Sequence, residues 1–243
     1  DSFLVHWLNK ISPPRIRPES VPDKSFQDLV AETKRYGFEV YCLNTTTDLS
    51  IPSFISVIID PTGIGPYLVL AGGCEANPAK AMYRALEEAW SIYYLIRPQT
   101  KLDFPKDFKT FEDKRIGSEE RLRLAANKNL FHHYRFLIEG VESDFTKTFA
   151  DIPSLFKTQK EELVSIQNNF KKMGEGYEVY YFQPQHKILD TLGYTAAKVI
   201  IPQLVPLYLA EKNAHIGTYR LKSYRSKLNK RTVELYGIPH PFP

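Results

Sequence analysis

The last five residues place a proline at every second position, as Pro239-His240-Pro241-Phe242-Pro243. Proline fixes its own φ, lacks an N–H donor and pushes the preceding residue towards extended backbone. The segment can form neither a helix nor an inner strand, and it predicts a stiff rod that carries the terminal carboxylate to a defined place at low entropic cost. On composition alone, a frayed terminus or a ligand for an aromatic groove on another protein is the simpler interpretation.

Composition limits the class of protein. A chain of 243 residues that is 43% hydrophobic can bury one sizeable core, and it is short for two. No stretch approaches the roughly 18 apolar residues of a membrane span. Cys42 and Cys74 alone make neither a disulfide framework nor a zinc site, so the sequence predicts a cytoplasmic protein. The net charge of +4 does not by itself indicate nucleic acid, and we expect neither nucleic acid nor a membrane as a partner.

Basic residues are concentrated near the C-terminus, with no acidic residue among them. They are Lys212, Arg220, Lys222, Arg225, Lys227, Lys230 and Arg231. Such a run is usually a solvated helix face, and it could also contact phosphates or an acidic peptide.

Hydrophobic periodicity predicts a mixture of helices and strands without regular βαβ alternation. We expect helices at 2–8, 25–36, 78–96, 119–136, 158–172 and near 207, with strands at 38–43, 53–59, 66–71, 177–182 and 196–201. Residues 98–117 are expected to form a polar loop, and the aromatic residues at 177–182 to pack as a strand. The fold class is therefore α+β, a single mixed domain over residues 1–243. The first helix has no start signal, so the chain is expected to be the C-terminal part of something longer.

The segment from Gly72 to Ser91 carries the clearest chemical signal. Gly72-Gly73 ends a strand, and Asn77-Pro78 can cap and begin the next helix. In that helix Ala81, Ala85, Glu88 and Ile92 share one face. A carboxylate on a semi-buried face needs a cation, a donor or a metal. Arg84 could pair with Glu88 along the helix, and Mg²⁺ is the functional alternative.

Four segments together resemble the YcaO family, and within it the azoline-forming cyclodehydratases of ribosomal peptide biosynthesis. They are residues 1–9 (DSFLVHWLN), residues 71–91 with Ala81, Arg84, Ala85, Leu86 and Glu88 in register, residues 199–207 (VIIPQLVPL) and the alternating prolines of 239–243. The match runs from end to end of the chain, which would then be the C-terminal portion of a YcaO-type fold.

The resemblance implies ATP and Mg²⁺ as cofactors and a reaction on a peptide amide. A Cys, Ser or Thr side chain attacks the preceding carbonyl carbon, ATP phosphorylates the amide oxygen, and phosphate leaves to give a thiazoline or oxazoline. It implies Glu88 as a metal ligand and Arg84, Glu88 and Ser91 as nucleotide contacts. Arg220 and Arg225 are added as nucleotide contacts on charge alone. The Pro243 carboxylate is the candidate catalytic group, aimed by Pro239, Pro241 and Pro243 itself.

The implied partners are a ribosomally made precursor peptide, a leader-binding partner protein or domain, and an upstream half of the same domain that supplies further glutamates. A homodimer is left open. Ser91 stands where the family often has glutamine, and Glu75 and Asn77 stand near its usual histidine and aspartate. Two alternatives therefore stay open: a relative that makes thioamides or amidines, and a non-catalytic subunit that binds precursor or partner after losing ATP chemistry.

Overall fold

The computed structural model describes residues 1–99, 111, 113–150, 156–174, 177–227 and 234–242. The helices are α1 (Ser2–Leu8), α2 (Lys24–Arg35), α3 (Pro78–Ile96), α4 (Ser118–Ala126), α5 (Phe145–Thr148), α6 (Gln159–Lys172), α7 (Lys187–Thr191) and α8 (Tyr219–Lys227). The strands are β1 (Arg15–Ile16), β2 (Glu39–Asn44), β3 (Ser53–Ile59), β4 (Leu68–Cys74), β5 (Glu142–Ser143), β6 (Tyr180–Phe182) and β7 (Lys198–Ile200). The α+β class is as expected.

A five-stranded sheet in the order β4-β3-β2-β1-β5 forms the centre of the fold. Its pairs are antiparallel except β1 with β5, and Ile55 of β3 lies opposite Gly72 of β4. Every residue of β3 is buried, so both faces of the sheet are covered. The strand β4 forms one edge.

Alternate residues of the strands supply two cores, because successive side chains point to opposite faces. On one face Phe54, Ile58 and Val69 pack with α2 and α3. On the other face Ile55, Val57, Leu68 and Leu70 pack with α1, with residues 124–138 and with the segments from 205 onward, including the tail. The tail and α3 therefore lie on opposite sides of the sheet.

Local capping explains where the main helices begin. The Asn77 side chain accepts a hydrogen bond from the Lys80 N–H and Pro78 occupies the first helical position, so α3 has the predicted bounds. In α2, Asp23 accepts from the Phe26 N–H. Gly37 then takes a φ of 81° just beyond the helix, where a side chain would be strained.

Two predicted helices are wrong, and one predicted strand has a different end. The single helix at 119–136 ends at Ala126, because the Asn127 side chain accepts from the Asn129 N–H and starts a separate 3₁₀ turn. No helix forms near residue 207, between Pro206 and a short 3₁₀ turn at Glu211–Asn213. The strand predicted at 66–71 continues through both glycines to Cys74. The loop predicted at 98–117 lies largely outside the described residues.

The hairpin of β6 and β7 also departs from expectation. Its strands pair antiparallel, as Tyr180 with Ile200 and Phe182 with Lys198. The aromatic side chains predicted to pack are exposed, at 74% for Tyr181 and 65% for Phe182. Two strands alone offer no second layer to cover them.

Two further features concern the cysteines and the helices. Cys42 and Cys74 are free thiols, and burial raises the pKa of Cys42 to about 12. Within the described ranges, no helix has the length and apolar character needed to cross a bilayer.

Candidate active site at the edge of the sheet

The helix α3 lies almost in contact with the backbone of β4. A Cβ at Gly73 would stand 1.9 Å from the carbonyl oxygen of Ala81, closer than any real contact. Ala81 and Ala85 are fully buried at this crossing. The glycine and the two alanines bring the two backbones together and fix how the later turns of α3 pass the edge of the sheet.

Glu88 follows one turn beyond this crossing and reaches back to the strand. Its carboxylate accepts a hydrogen bond from the backbone N–H of Gly72. Burial raises the pKa of Glu88 above the usual value, and the Gly72 N–H opposes that shift. The side chain remains more than a third exposed. Among the described residues no lysine or arginine lies within ion-pair distance of it, so the carboxylate faces solvent ready for a cation.

Arg84 and Ser91 lie on the same exposed face of α3, one turn to either side of Glu88. The Arg84 guanidinium lies 3.5 Å from the carboxylate of Glu87, so the structure does not form the Arg84–Glu88 pair that spacing allowed. The Ser91 hydroxyl donates to the Glu87 carbonyl at 3.2 Å. Both side chains are exposed, and their nucleotide contacts stay predictions.

The C-terminal tail is buried instead of frayed. Pro239, His240 and Pro241 have little exposed surface, and residues 234–242 form neither helix nor strand, as the prolines predict. The Trp7 indole N–H donates to the Ile238 carbonyl at 3.0 Å, and the Tyr236 N–H donates to the Leu8 carbonyl at 2.8 Å. The interpretation of a loose terminus is therefore wrong for these residues.

The end of the tail lies against the strand that holds Glu88. The Phe242 ring packs on Phe3, with 5.2 Å between ring centroids, and a Cβ at Gly72 would stand 2.9 Å from it. One face of Gly72 thus meets the tail, while its N–H binds the Glu88 carboxylate. Pro243 lies outside the described residues, so the role of its carboxylate stays a prediction.

The two later arginines have protein partners. The Arg220 side chain is 1% exposed and its guanidinium lies 3.0 Å from the Asp1 carboxylate and 2.7 Å from that of Asp48. Arg225 donates to the Asn9 side chain at 2.7 Å. Charge alone suggested phosphate contacts for both. The structure instead neutralises Arg220 inside the protein, and this does not favour it as a nucleotide ligand.

Glu88 supplies at this edge one carboxylate of the kind that Mg²⁺ binds. Within the described part of the chain no group of three or more His, Cys, Asp or Glu side chains could hold a metal ion. Mg²⁺ is often bound by one or two carboxylates, with substrate phosphates and waters completing its octahedron. A solvent-facing Glu88 without a cation meets that requirement as one ligand.

Sequence reasoning missed a second polar cluster, formed by Arg121, Glu211 and His240. All three side chains are fully buried. Arg121 Nε lies 3.7 Å from Glu211 Oε1, and Arg121 Nη1 contacts the His240 ring. Burial raises the pKa of Glu211 to about 7, and burial together with Arg121 holds the pKa of His240 well below its usual value. The residues are far apart in sequence, and the one local signal was a histidine placed between two tail prolines.

Comparison with solved structures identifies the class of fold. The chain is similar to a heterocyclase in complex with substrate and cofactor, with a TM-score of 0.71 and 18% identity over 99% of this chain. It is similar to the heterocyclase TruD, with a TM-score of 0.64 and 19% identity over 99% of this chain. In both cases it covers 30% of the other chain. This is the fold found in heterocyclases.

A third structure and the sequence itself narrow this class. The E. coli microcin synthetase McbBCD complex with pro-MccB17 bound matches with a TM-score of 0.55 and 11% identity, over all of this chain and 57% of that one. The family described as YcaO cyclodehydratase, ATP- and Mg²⁺-binding, matches residues 1–205. The chain belongs to the YcaO family. A search of curated proteins finds no significant match.

Proposed function

We propose that the protein containing this chain performs ATP- and Mg²⁺-dependent cyclodehydration of Cys, Ser or Thr residues in a ribosomally made peptide, giving thiazolines or oxazolines. The single observation that carries the proposal is the meeting of two chemical groups at Gly72. The Glu88 carboxylate binds its N–H, and Phe242, the residue before the terminal carboxylate, packs against its open face.

The atoms of the reaction balance. The side-chain sulfur or oxygen bonds to the preceding carbonyl carbon and its proton goes to a base. The amide oxygen takes the γ-phosphoryl group of ATP and departs as phosphate, leaving ADP and a C=N bond, with the amide proton lost. Bound Mg²⁺ would neutralise charge on the transferring phosphoryl group. An amide oxygen is a poor leaving group until it is phosphorylated, which is why the reaction consumes ATP.

The residues of this chain divide the work at the edge of the sheet. Glu88 would hold the metal, and Arg84 and Ser91, which lie on the same exposed helix face, would contact the nucleotide. The Pro243 carboxylate is the candidate base for a proton of the cyclising residue. The buried prolines at 239 and 241 keep the preceding residues extended, so the carboxylate is delivered with little conformational entropy left to lose.

The partners are proposed from the same relatives. One similar structure holds substrate and cofactor, and another is a multi-protein complex with its pro-peptide bound. A precursor peptide, a leader-binding protein or domain and the remainder of a longer chain are therefore the expected components. This chain spans about a third of the heterocyclases and about half of the microcin synthetase chain that it matches.

The test is the Glu88→Gln variant of the full-length protein. Native mass spectra with and without Mg-ATP report nucleotide binding, and a panel of Cys-, Ser- and Thr-containing peptides reports loss of one water mass per ring. We expect the wild type to show both and Glu88→Gln to lose the Mg²⁺-dependent adduct and the ring product. Glu87→Gln is the matched control, because Glu87 is the adjacent, exposed carboxylate whose partner is Arg84.

The outcomes separate the remaining interpretations. A Glu88→Gln protein that still forms rings contradicts the assignment of the metal ligand. A wild type that binds peptide and neither binds nor hydrolyses ATP supports the non-catalytic subunit. A product in which sulfur or nitrogen replaces the amide oxygen supports the thioamide- or amidine-forming relative.

A further inference from the structure

The ring of His240 is the point at which the tail is fixed to the body of the protein. Arg121 Nη1 contacts both ring nitrogens, and the backbone carbonyls of Tyr208 and Phe242 lie close to the ring. The ring edge packs on the Tyr208 ring, with 4.7 Å between centroids. The ring thus lies against both the body of the protein and the last described residue of the chain.

Arg121 in turn is held by three residues. Its Nη1 donates to the Tyr208 carbonyl at 2.8 Å, its Nε donates to the Gly117 carbonyl at 3.3 Å, and Glu211 supplies a carboxylate 3.7 Å away. The guanidinium also lies over the Tyr208 ring. The partners bind Nε and Nη1, while Nη2 is buried without a hydrogen-bond partner, and a planar group bound at two of its nitrogens is held in one orientation.

We propose that Arg121 is a positioning residue for the C-terminal tail, acting through His240 to fix Phe242 against Gly72 of β4. Among the described residues Arg121 has no contact with Glu88 or Phe242, so it acts through the histidine. The consequence for catalysis depends on the proposed function, whereas the attachment of the tail does not.

The hydrogen-bond inventory requires a neutral imidazole in this place. A guanidinium only donates, so a ring nitrogen that faces Arg121 must accept from it, which a protonated ring with an N–H on both nitrogens cannot do. The groups that face the ring from each neighbouring element are Arg121 on α4, Tyr208 and Glu211 on the segment before α8, and Phe3 on α1. Glu211 lies on the Arg121 side, and a protonated ring would place a second cation against Arg121.

Two substitutions of His240 separate hydrogen bonding from packing. His240→Phe keeps an aromatic ring against Tyr208 and Phe3 and removes both ring nitrogens. His240→Gln can accept from Arg121 through its amide oxygen and donate to a carbonyl through its amide nitrogen. The readout is chymotrypsin cleavage after Tyr236, which releases the heptapeptide 237–243, measured in the full-length protein. Cleavage after the exposed Tyr181 serves as the internal reference. The new phenylalanine precedes Pro241 and creates no chymotrypsin site.

We expect His240→Phe to raise Tyr236 cleavage at least about tenfold relative to Tyr181, because a hydrogen bond to a charged group is lost. His240→Gln should return it towards the wild-type ratio. In the cyclisation assay His240→Phe should lower kcat and leave the KM for ATP unchanged, with rescue by glutamine.

Specific outcomes overturn the proposal. A His240→Phe tail as resistant as the wild type, or a His240→Gln tail as loose as His240→Phe, shows that Arg121 does not hold it. If His240→Phe is also cut after the buried Tyr134, the variant has unfolded. The ratio of Tyr236 to Tyr181 cleavage is then measured in Arg121→Lys, and the proposal requires that this ratio rise. A loosened tail with unchanged kcat overturns the positioning role. An inactive wild type refutes the proposed function, and the cleavage ratio alone then decides the attachment.

Discussion

Replacing Glu211 by glutamine should stabilise the protein above neutral pH and change little at pH 5. The Glu211 side chain is fully buried, and neither of its carboxylate oxygens has a hydrogen-bond partner among the described residues. Arg121 is 3.7 Å away, and its attraction does not offset the desolvation of the carboxylate. Burial therefore raises the pKa of Glu211 from 4.5 to about 7.

The sign and size of the effect follow from linkage. A group whose pKa is higher in the folded than in the unfolded state contributes stability that is fully present below pH 4.5 and is lost as pH rises through about 7. A shift of about 2.5 units at 1.36 kcal/mol each corresponds to about 3 kcal/mol. Glutamine resembles the protonated acid at every pH, so the stability difference between Glu211→Gln and wild type should grow by about 2 to 3 kcal/mol between pH 5 and pH 8.

Urea unfolding of the full-length protein at pH 5, 6, 7 and 8 measures this difference. Glu139→Gln is the matched control, since Glu139 is half exposed in a surface pair with Arg135 and should give a flat difference. His240 is present in both the wild type and Glu211→Gln, so its contribution cancels in the stability difference between them. A Glu211→Gln protein that loses stability as pH rises would refute the reasoning, because it would show that the ion pair with Arg121 outweighs burial.

Three other changes test the packing around the site. Gly73→Ala should destabilise the protein by about 3 kcal/mol or more, because the new Cβ meets the backbone of α3. Gly72→Ala should cost far less, because its Cβ meets side chains that can shift. Equal losses of stability in thermal unfolding would contradict the close crossing of α3 and β4. Arg220→Met should cost about 3 to 5 kcal/mol, because it removes the buried guanidinium that pairs with the Asp1 and Asp48 carboxylates. A raised KM for ATP at unchanged stability would instead restore Arg220 as a nucleotide ligand. Trp7→Phe removes the hydrogen bond to the Ile238 carbonyl of the tail, and it should lower the free energy of unfolding in urea by about 1 kcal/mol. Chymotrypsin cleavage after Tyr236 should increase, and an unchanged cleavage rate would show that this hydrogen bond does not hold the tail.

Features with a local cause were predictable from the sequence. The bounds of α3 follow from Asn77, Pro78 and helical periodicity, and the extended tail follows from its prolines. The break after Ala126 also had a local cause, since Asn127 can cap a new turn, but a run of apolar spacing concealed it. Glu88 was predicted as a metal ligand from helical spacing and family resemblance together.

The docking of the tail had no local cause and could not be predicted. Trp7 and Ile238 are 231 residues apart, and Arg121 and His240 are 119 apart. Charge patterning failed for a related reason. The run that contains Arg220 was interpreted as a solvated face or a phosphate surface, yet its carboxylate partners come from the start of the chain and from the turn before β3. Sequence spacing cannot reveal whether a charge already has a distant partner.

The Gly72-Gly73 pair shows how one local signal can be correct and its interpretation incomplete. Two glycines were expected to end a strand, but the strand continues to Cys74. Successive residues of a strand face opposite sides of the sheet. Gly73 therefore admits the backbone of α3 from one side and Gly72 admits the ring of Phe242 from the other. Because both approaches are too close for a Cβ to fit unmoved, the pair brings the helix that carries Glu88 and the tail that ends in Pro243 to the same edge of β4.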